Sequence, residues 1–234
     1  MTNVFYRDLK SDMPVAVKGD GIYLIDSQGK RYLDASGGAA VSCLGHSDAD
    51  VIQAIKDQAD KVAFAHTGFF TTEPAEDLAR FLVEAAPEGI GMVYFVSGGS
   101  EAVEAALKMA RQYFLEKGEP ERTKFIARRQ SYHGNTLGAL SVGGNVWRRD
   151  PYKEMLMPVS HIAPCYPYRE MQGGESEADY GLRVADELEA VHGYADAGAA
   201  HDGSAPGAEQ QHRQPAAAPA GTTDDPSSRR QQRR

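Results

Sequence analysis

No stretch of the 234 residues approaches the ~20 consecutive apolar positions that a membrane-crossing helix needs. The first residues, MTNVFYRDLKSDMP, hold no apolar h-region, so they do not read as a secretory signal. Cysteine occurs twice, at Cys43 and Cys165, too seldom for a disulfide framework; the expectation is two reduced thiols in a cytoplasmic protein. Positive charge is also in short supply. Lysine and arginine number 25 against 33 aspartates and glutamates, a net charge of −8, which argues against the basic face that a nucleic-acid binder requires. Neither nucleic acid nor a membrane is therefore an expected partner, and no metal site is expected. Lysine stops early: none follows Lys153.

The composition changes once, near residue 190. Before that point Leu, Ile, Val, Phe and Met recur at regular spacing. Beyond it the chain is Ala, Gly, Pro, Gln, Asp and Arg without period, and Leu, Ile, Met, Phe, Trp and Lys are missing. A segment with so little apolar surface cannot offset its ordering entropy, so residues 191–234 are expected to be a disordered tail. Its five arginines are balanced by its acids, which leaves the net charge on residues 1–190.

Within the body, GIYLIDSQGKRYLDA alternates around Asp26-Ser27-Gln28-Gly29 and predicts a hairpin, the glycine supplying the positive φ of a tight turn. The stretch SDADVIQAIKDQADKVAF predicts a helix capped by Ser47 or Asp48, with Val51, Ile55, Ala59 and Val62 on one face. TTEPAEDLARFLVEAAPEG predicts another, capped by Thr71 or Thr72 with Pro74 in its first turn. MVYFVS and TKFIARR are strand-length runs, residues 100–117 form a helix between them, SYHGNTLGALSVGG bends into a helical segment, and YGLRVADELEA starts a further helix. Strand–helix–strand–helix after residue 92 implies an α/β fold with a largely parallel sheet. Residues 1–90 read as an N-terminal arm or small lobe.

The sequence FVSGGSEAVEAALKMAR, residues 95–111, is built like an anion cradle. A helix N-terminus carries unpaired N–H donors and about half a positive charge. Gly98 and Gly99 allow close backbone approach, and Ser100 adds a hydroxyl at the mouth. The same residues could also form a simple Gly-Ser helix start. No Gly-Lys-Ser/Thr follows, and the spacing is not that of a dinucleotide loop. In a parallel sheet QSYHGNT would arrive at the same strand edge, where Tyr132 can lie against a planar heterocycle, with His133 beside it and Gly134 giving clearance. Core packing for Tyr132 and an ordinary turn histidine for His133 are the competing readings.

GHSDADVIQAIKDQADKV, FVSGGSEAVEAALKMAR and SYHGNTLGALSVGG, in this order and with the hairpin before them, resemble the class III aminotransferases, the ω-aminotransferase and ornithine-aminotransferase-like group. The resemblance runs from about residue 15 to about residue 190. It implies a partial fold-type-I, pyridoxal 5′-phosphate-dependent transferase: an N-terminal lobe over residues 1–90, the first part of the cofactor-binding large domain over 91–190, and the tail. It further implies that Gly98, Gly99 and Ser100 hold the cofactor phosphate, that Tyr132 stacks on the pyridine ring with His133 alongside, and that Glu101 braces the loop. Loop residues Ala40 to Ser42 would face an amine or keto-acid substrate; small Ala39 and Ala40 stand where relatives often carry a bulkier side chain. The family works as homodimers, so the parent protein is expected to be one.

The family's chemistry also needs a lysine to carry the cofactor aldehyde as a Schiff base and an aspartate to keep its ring nitrogen protonated. The resemblance puts both beyond the matched region. The nine lysines here end at Lys153, in the charged loop RRDPYKEML, and Asp224-Asp225 lie in low-complexity sequence. The expectation is a chain truncated or read out of frame after about residue 190. It would have no catalytic residue of its own, would be inactive alone and poorly stable, and would at most bind a phosphate-bearing ligand or a partner.

Overall fold

In a computed structural model the described residues are 2–196. The disordered tail expected over residues 191–234 therefore lies, from residue 197 onward, outside the described residues. The chain divides into two compact units, one up to Val93 and one from Tyr94.

The first unit opens with a three-stranded antiparallel sheet in the order β1 (Ala16–Asp20), β2 (Tyr23–Asp26), β3 (Arg31–Leu33). The β2–β3 hairpin is the expected one: Ile25 pairs with Arg31 and Tyr23 with Leu33, and Gly29 turns with φ 81°. Its turn is organised by Asp26, whose carboxylate accepts the Gln28 and Lys30 N–H groups and the Tyr32 hydroxyl, each at 2.9 Å. Strand β1 was not anticipated. It pairs Asp20 with Tyr23 and Lys18 with Ile25, with a bulge between Ala16 and Lys18.

A single turn, α1 (Gly37–Ala40), follows, and then two longer helices, α2 (Ala49–Lys61) and α3 (Glu73–Ala85). Of the two candidate caps for α2, Asp48 is the one used, accepting the Val51 N–H at 3.0 Å. Ser47 instead accepts the Gly21 N–H at 2.8 Å. Thr72 occupies the cap position of α3 without a side-chain bond, while the Thr71 hydroxyl donates to Glu76 at 2.6 Å. Neither helix buries a residue, and Asp26 is the single buried residue described in this unit.

Residues 92–97, read from sequence as a strand, belong to no ladder among the described residues. An apolar run becomes a strand only with a neighbour to bond, and neither described sheet reaches this one. Helix α4 (Gly99–Glu116) follows directly. Strand β4 (Ile126–Arg128) pairs in parallel with β5 (Ser160–Ile162), Ile126 opposite Ser160 and Arg128 opposite Ile162. The crossover between them carries α5 (Leu137–Val142), the short turn α6 (Val146–Arg149) and the 3-10 helix η1 (Asp150–Met155). The short turn α7 (Pro167–Glu170) and α8 (Glu177–Asp196) complete the described chain.

Helix α8 continues six residues past the compositional break at 190, because extending a formed helix adds a hydrogen bond for each residue fixed. It seats Tyr180 and Val184 against Ala163 beside β5. The Tyr180 hydroxyl donates to the Pro164 carbonyl and accepts the Tyr166 N–H at 3.1 Å. Glu187 accepts the Ala163 N–H at 2.6 Å and pairs with Arg129 at 3.6 Å.

Candidate functional site: a cofactor cradle at the start of α4

Gly98 occupies the N-cap position of α4 in extended backbone, and the first intrahelical bond runs from the Ala102 N–H to the Gly98 carbonyl at 3.0 Å. The N–H groups of Gly99, Ser100 and Glu101 come before that bond, so no helical carbonyl takes them. The Glu101 carboxylate turns back to accept the Ser97 N–H at 2.8 Å, which braces the loop. A Cβ added to Gly98 or Gly99 would meet nothing within 4 Å, so the space over the cradle is open to an anion.

The second motif arrives at this point. Asn135 donates its N–H to the Ser100 hydroxyl oxygen at 2.9 Å, which leaves the Ser100 proton free to donate outward. Gly134, with φ 133°, lies so close that a Cβ there would stand 2.4 Å from Ser100 Oγ and 2.8 Å from Ser100 Cα. Only a residue without a side chain lets the two segments meet this way. The loop thus sets Tyr132, His133 and Gly134 beside the start of α4. Tyr132 is 62% exposed, so a ring face is available for stacking, and the Arg148 guanidinium lies 5.1 Å from its centroid. His133 is half-buried.

Glu104, one turn along α4, holds the following helix. Its carboxylate accepts the Gly138 N–H at 2.8 Å and the Ala139 N–H at 3.2 Å. The Thr136 hydroxyl first, and then these N–H groups, hold its carboxyl below the usual range against the opposing effect of burial. Sequence reading missed Glu104, because a cap supplied from 34 residues away leaves no local pattern. On the far side of α5, His161 places Nε2 2.9 Å from the Gly143 carbonyl; burial and then the nearby Arg149 push its pKa down.

Ala40 and Ser42 belong to the first unit. There Asp34 gathers the loop: its carboxylate accepts the Ser36 and Ser42 hydroxyls at 3.1 and 2.7 Å and the Gly38 N–H at 3.2 Å, and meets His46 Nε2 at 2.9 Å. These contacts, the Ser42 hydroxyl foremost, hold Asp34 well below the ordinary carboxylate range. Ser42 is therefore already engaged. Gly37, Gly38, Ala39 and Ala40 all have positive φ, from 57° to 70°, and form a left-handed turn. For the two alanines that conformation costs about 1–2 kcal/mol per residue, and the Asp34 bonds on either side hold it in place. Asp34 was also missed. The signal available was an acid two and four residues ahead of Ser36 and Gly38, the spacing of a side chain that bonds its own turn.

A family model described as aminotransferase class III matches residues 6–200. The chain belongs to the class III aminotransferases. Within that family it is 45% identical over 187 residues to an uncharacterized aminotransferase of Schizosaccharomyces pombe, covering 80% of this chain and 41% of the other. It is 40% identical over 164 residues to the adenosylmethionine-8-amino-7-oxononanoate aminotransferase of Methanocaldococcus jannaschii, covering 70% and 35%. Among solved structures, the ω-transaminase of Pseudomonas jessenii in complex with PMP aligns with a TM-score of 0.71 at 32% identity, over 76% of this chain and 40% of that one. The chain thus spans about two fifths of the length of the curated class III relatives it matches. The expected α/β, fold-type-I class and the pyridoxal phosphate dependence of the family both stand. No described helix is long and apolar enough to cross a membrane, and no described group of His, Cys, Asp and Glu could hold a metal.

The described residues fit part of the cofactor. The α4 start offers N–H groups, a free hydroxyl proton and open space to a phosphate, and Tyr132 offers a ring face. For the reactive end, Lys153 sits in η1 with its side chain 74% exposed, beside Glu154 at 3.8 Å, and does not line the small cleft at Tyr132.

Proposed function

We propose that this chain is the cofactor-anchoring part of an aminotransferase that moves an amino group between an amine or amino acid and a keto acid. Gly98 shapes the loop; the N–H groups of Gly99 and Ser100, with the Ser100 hydroxyl, bind the cofactor phosphate. Tyr132 stacks on the ring and His133 lies beside it. Ala40 and Ser42 belong to the substrate loop that Asp34 holds. Residues 1–90 act as the small lobe and 91–190 as the first part of the large domain, in a parent protein that works as a homodimer in the cytoplasm. Bound pyridoxal phosphate supplies an aldehyde that takes up amino groups and a ring that accepts electrons. The residues of this chain bind and orient it.

The observation that carries this reading is the close approach of Gly134 and Asn135 to Ser100, which joins two motifs 35 residues apart at one helix N-terminus. The amino transfer itself needs a lysine amine within reach, and none follows Lys153 in this sequence. Alone, the chain is a phosphate-ligand- or partner-binding piece without turnover.

The test adds pyridoxal phosphate, and separately pyridoxal, to the purified chain, reduces each mixture with borohydride and maps the labelled peptides. Saturable binding of the phosphorylated form, at least tenfold weaker in Ser100→Ala, is expected, with scattered substoichiometric lysine labelling and no transamination. One stoichiometric lysine with turnover would overturn the inactive part. Equal binding of pyridoxal and its phosphate would overturn the cradle.

A further inference from the structure

The loop that carries Tyr132 follows β4 and is held at both ends. Gly134 and Asn135 fix its far end to Ser100. Its near end meets Gly144, which comes after α5. The Gly144 N–H donates to the Ser131 carbonyl at 3.0 Å, and the Gly144 carbonyl accepts the Gln130 N–H at 3.1 Å. Gly144 is buried against the end of β4, where a Cβ would overlap the Arg128 carbonyl oxygen. The residue before it has an anchor of its own. The carbonyl of buried Gly143 meets His161 Nε2 at 2.9 Å. The other ring nitrogen, Nδ1, lies 3.2 Å from the Val159 carbonyl, two residues back along the chain. His161 stands on β5, which is tied to β4 at this point: the Arg129 N–H donates to the Ile162 carbonyl at 2.9 Å, and the Arg129 guanidinium donates to the His161 carbonyl at 3.0 Å. The imidazole therefore bridges a paired strand and the Gly143–Gly144 strap behind Tyr132.

We propose that His161 is a positioning residue for the cofactor ring: as a neutral imidazole protonated on Nε2, it donates to the Gly143 carbonyl, fixes the strap, and so sets where Ser131 delivers Tyr132. The proposal rests on the reading that Tyr132 seats the ring; the pin on the strap does not. A neutral imidazole has one N–H to give. Burial first, and then the Arg149 charge, favour the neutral ring against the opposing pull of the two carbonyls. Nε2 makes the shorter of the two contacts and takes the proton. A buried carbonyl that loses its donor costs more than an ordinary hydrogen bond contributes. Without the His161 donor, the strap relieves that cost by moving, and the Ser131 carbonyl moves with the Gly144 N–H that holds it. Gly143 lines the small cleft at Tyr132 and His161 does not, so His161 acts through the strap and not by touching what the cleft faces.

Variants of the full chain separate this role from plain stability. His161→Gln puts an amide N–H near the Nε2 position, His161→Phe keeps a ring without any N–H, and Tyr180→Phe removes a buried hydroxyl elsewhere in the same unit. In His161→Phe the Gly144 amide should exchange roughly tenfold faster. Pyridoxal phosphate should bind about tenfold more weakly, while inorganic phosphate, which needs only Gly99 and Ser100, should stay within about threefold. His161→Gln should recover most of both losses, and Tyr180→Phe should show neither. In the unaltered chain at neutral pH, the ring nitrogen chemical shifts of His161 should show Nε2 protonated and Nδ1 bare. Equal weakening of pyridoxal phosphate and inorganic phosphate would overturn the proposal. So would an unchanged Gly144 amide in His161→Phe, the same losses in Tyr180→Phe, or the opposite tautomer. Should far-UV circular dichroism show that the phenylalanine variant loses its helices, His161→Asn replaces it, since its shorter amide reaches only the Nδ1 position; asparagine equal to glutamine would then refute the pin. A chain that binds pyridoxal and its phosphate equally overturns the cradle instead, and the Gly144 exchange and the tautomer still decide whether His161 holds the strap.

Discussion

Replacing Gly134 by alanine tests the junction on which the candidate site depends. The added methyl would stand 2.4 Å from Ser100 Oγ, 2.8 Å from Ser100 Cα and 2.9 Å from Ser100 Cβ. One of these is backbone of a helix that cannot rotate aside, so the loop must move. Two costs combine. Forcing a methylene-sized group into an occupied space costs about 1–3 kcal/mol, and holding an alanine at a φ of 133°, where L side chains are rarely found, costs about 1–3 kcal/mol more. Together they come to about 2–6 kcal/mol, a large part of the 5–15 kcal/mol that ordinarily holds a domain. The loop escapes this only by withdrawing from α4, which breaks the bond from the Asn135 N–H to Ser100. Two readouts follow. Urea denaturation should show the lost stability, and hydrogen exchange should show the Asn135 amide exchanging faster in Gly134→Ala. Pyridoxal phosphate binding should weaken alongside. An alanine variant with an unfolding free energy within about 0.5 kcal/mol of the parent, and an equally protected Asn135 amide, would refute the idea that glycine is required there.

Two further outcomes are expected. Glu104→Ala removes the acceptor for the Gly138 and Ala139 N–H groups and should cost about 0.5–2 kcal/mol, the usual worth of a helix cap, measured by urea denaturation. Glu104→Gln keeps an acceptor oxygen and should cost less. Glu175 is held to about 2 mainly by its two-pronged bond from Arg183, at 2.7 and 3.0 Å, and by the Gln172 N–H. Its folded pKa lies below the ordinary 4.5, so its contribution is fully present above that value and is lost as pH falls through about 2. In Arg183→Gln the carboxyl should titrate closer to 4.5, read from its carbon chemical shift; an unchanged midpoint would refute the pairing.

The parts of the fold written in short-range pattern were legible in the sequence. Asp48 capping α2, Gly29 turning β2 into β3, and the glycine pair opening α4 each depend on residues within a few positions, and each is found as expected. Errors arose where the partner is distant. The apolar 92–97 run has strand composition, but a strand is a relation between two segments, and the described chain supplies no second one. Strand β1 is marked by alternating Val15 and Val17 ahead of a glycine turn, a strand signal of only two residues. Glu104 and Arg149 could not be found by pattern, because a carboxylate and a guanidinium on exposed-looking helix positions are the commonest surface residues. What distinguishes them is that Glu104 caps a helix 34 residues away and that Arg149 Nε is buried with no hydrogen-bond partner among the described residues.

Helices α2 and α3 have well-marked ends and a clear apolar stripe, yet no residue of either is buried. Val51, Ile52, Ile55, Leu78, Phe81 and Leu82 remain between 40% and 67% exposed. Full burial of such a side chain is worth about 1.5–3 kcal/mol, so roughly half-covered, the six hold back on the order of 5–9 kcal/mol. That is as much as a small domain has in total. The boundaries of these helices are local, set by a capping aspartate and a first-turn proline, while their cohesion is not. Stability along residues 49–85 is accordingly a collective quantity. It grows with whatever apolar surface comes to lie on those stripes.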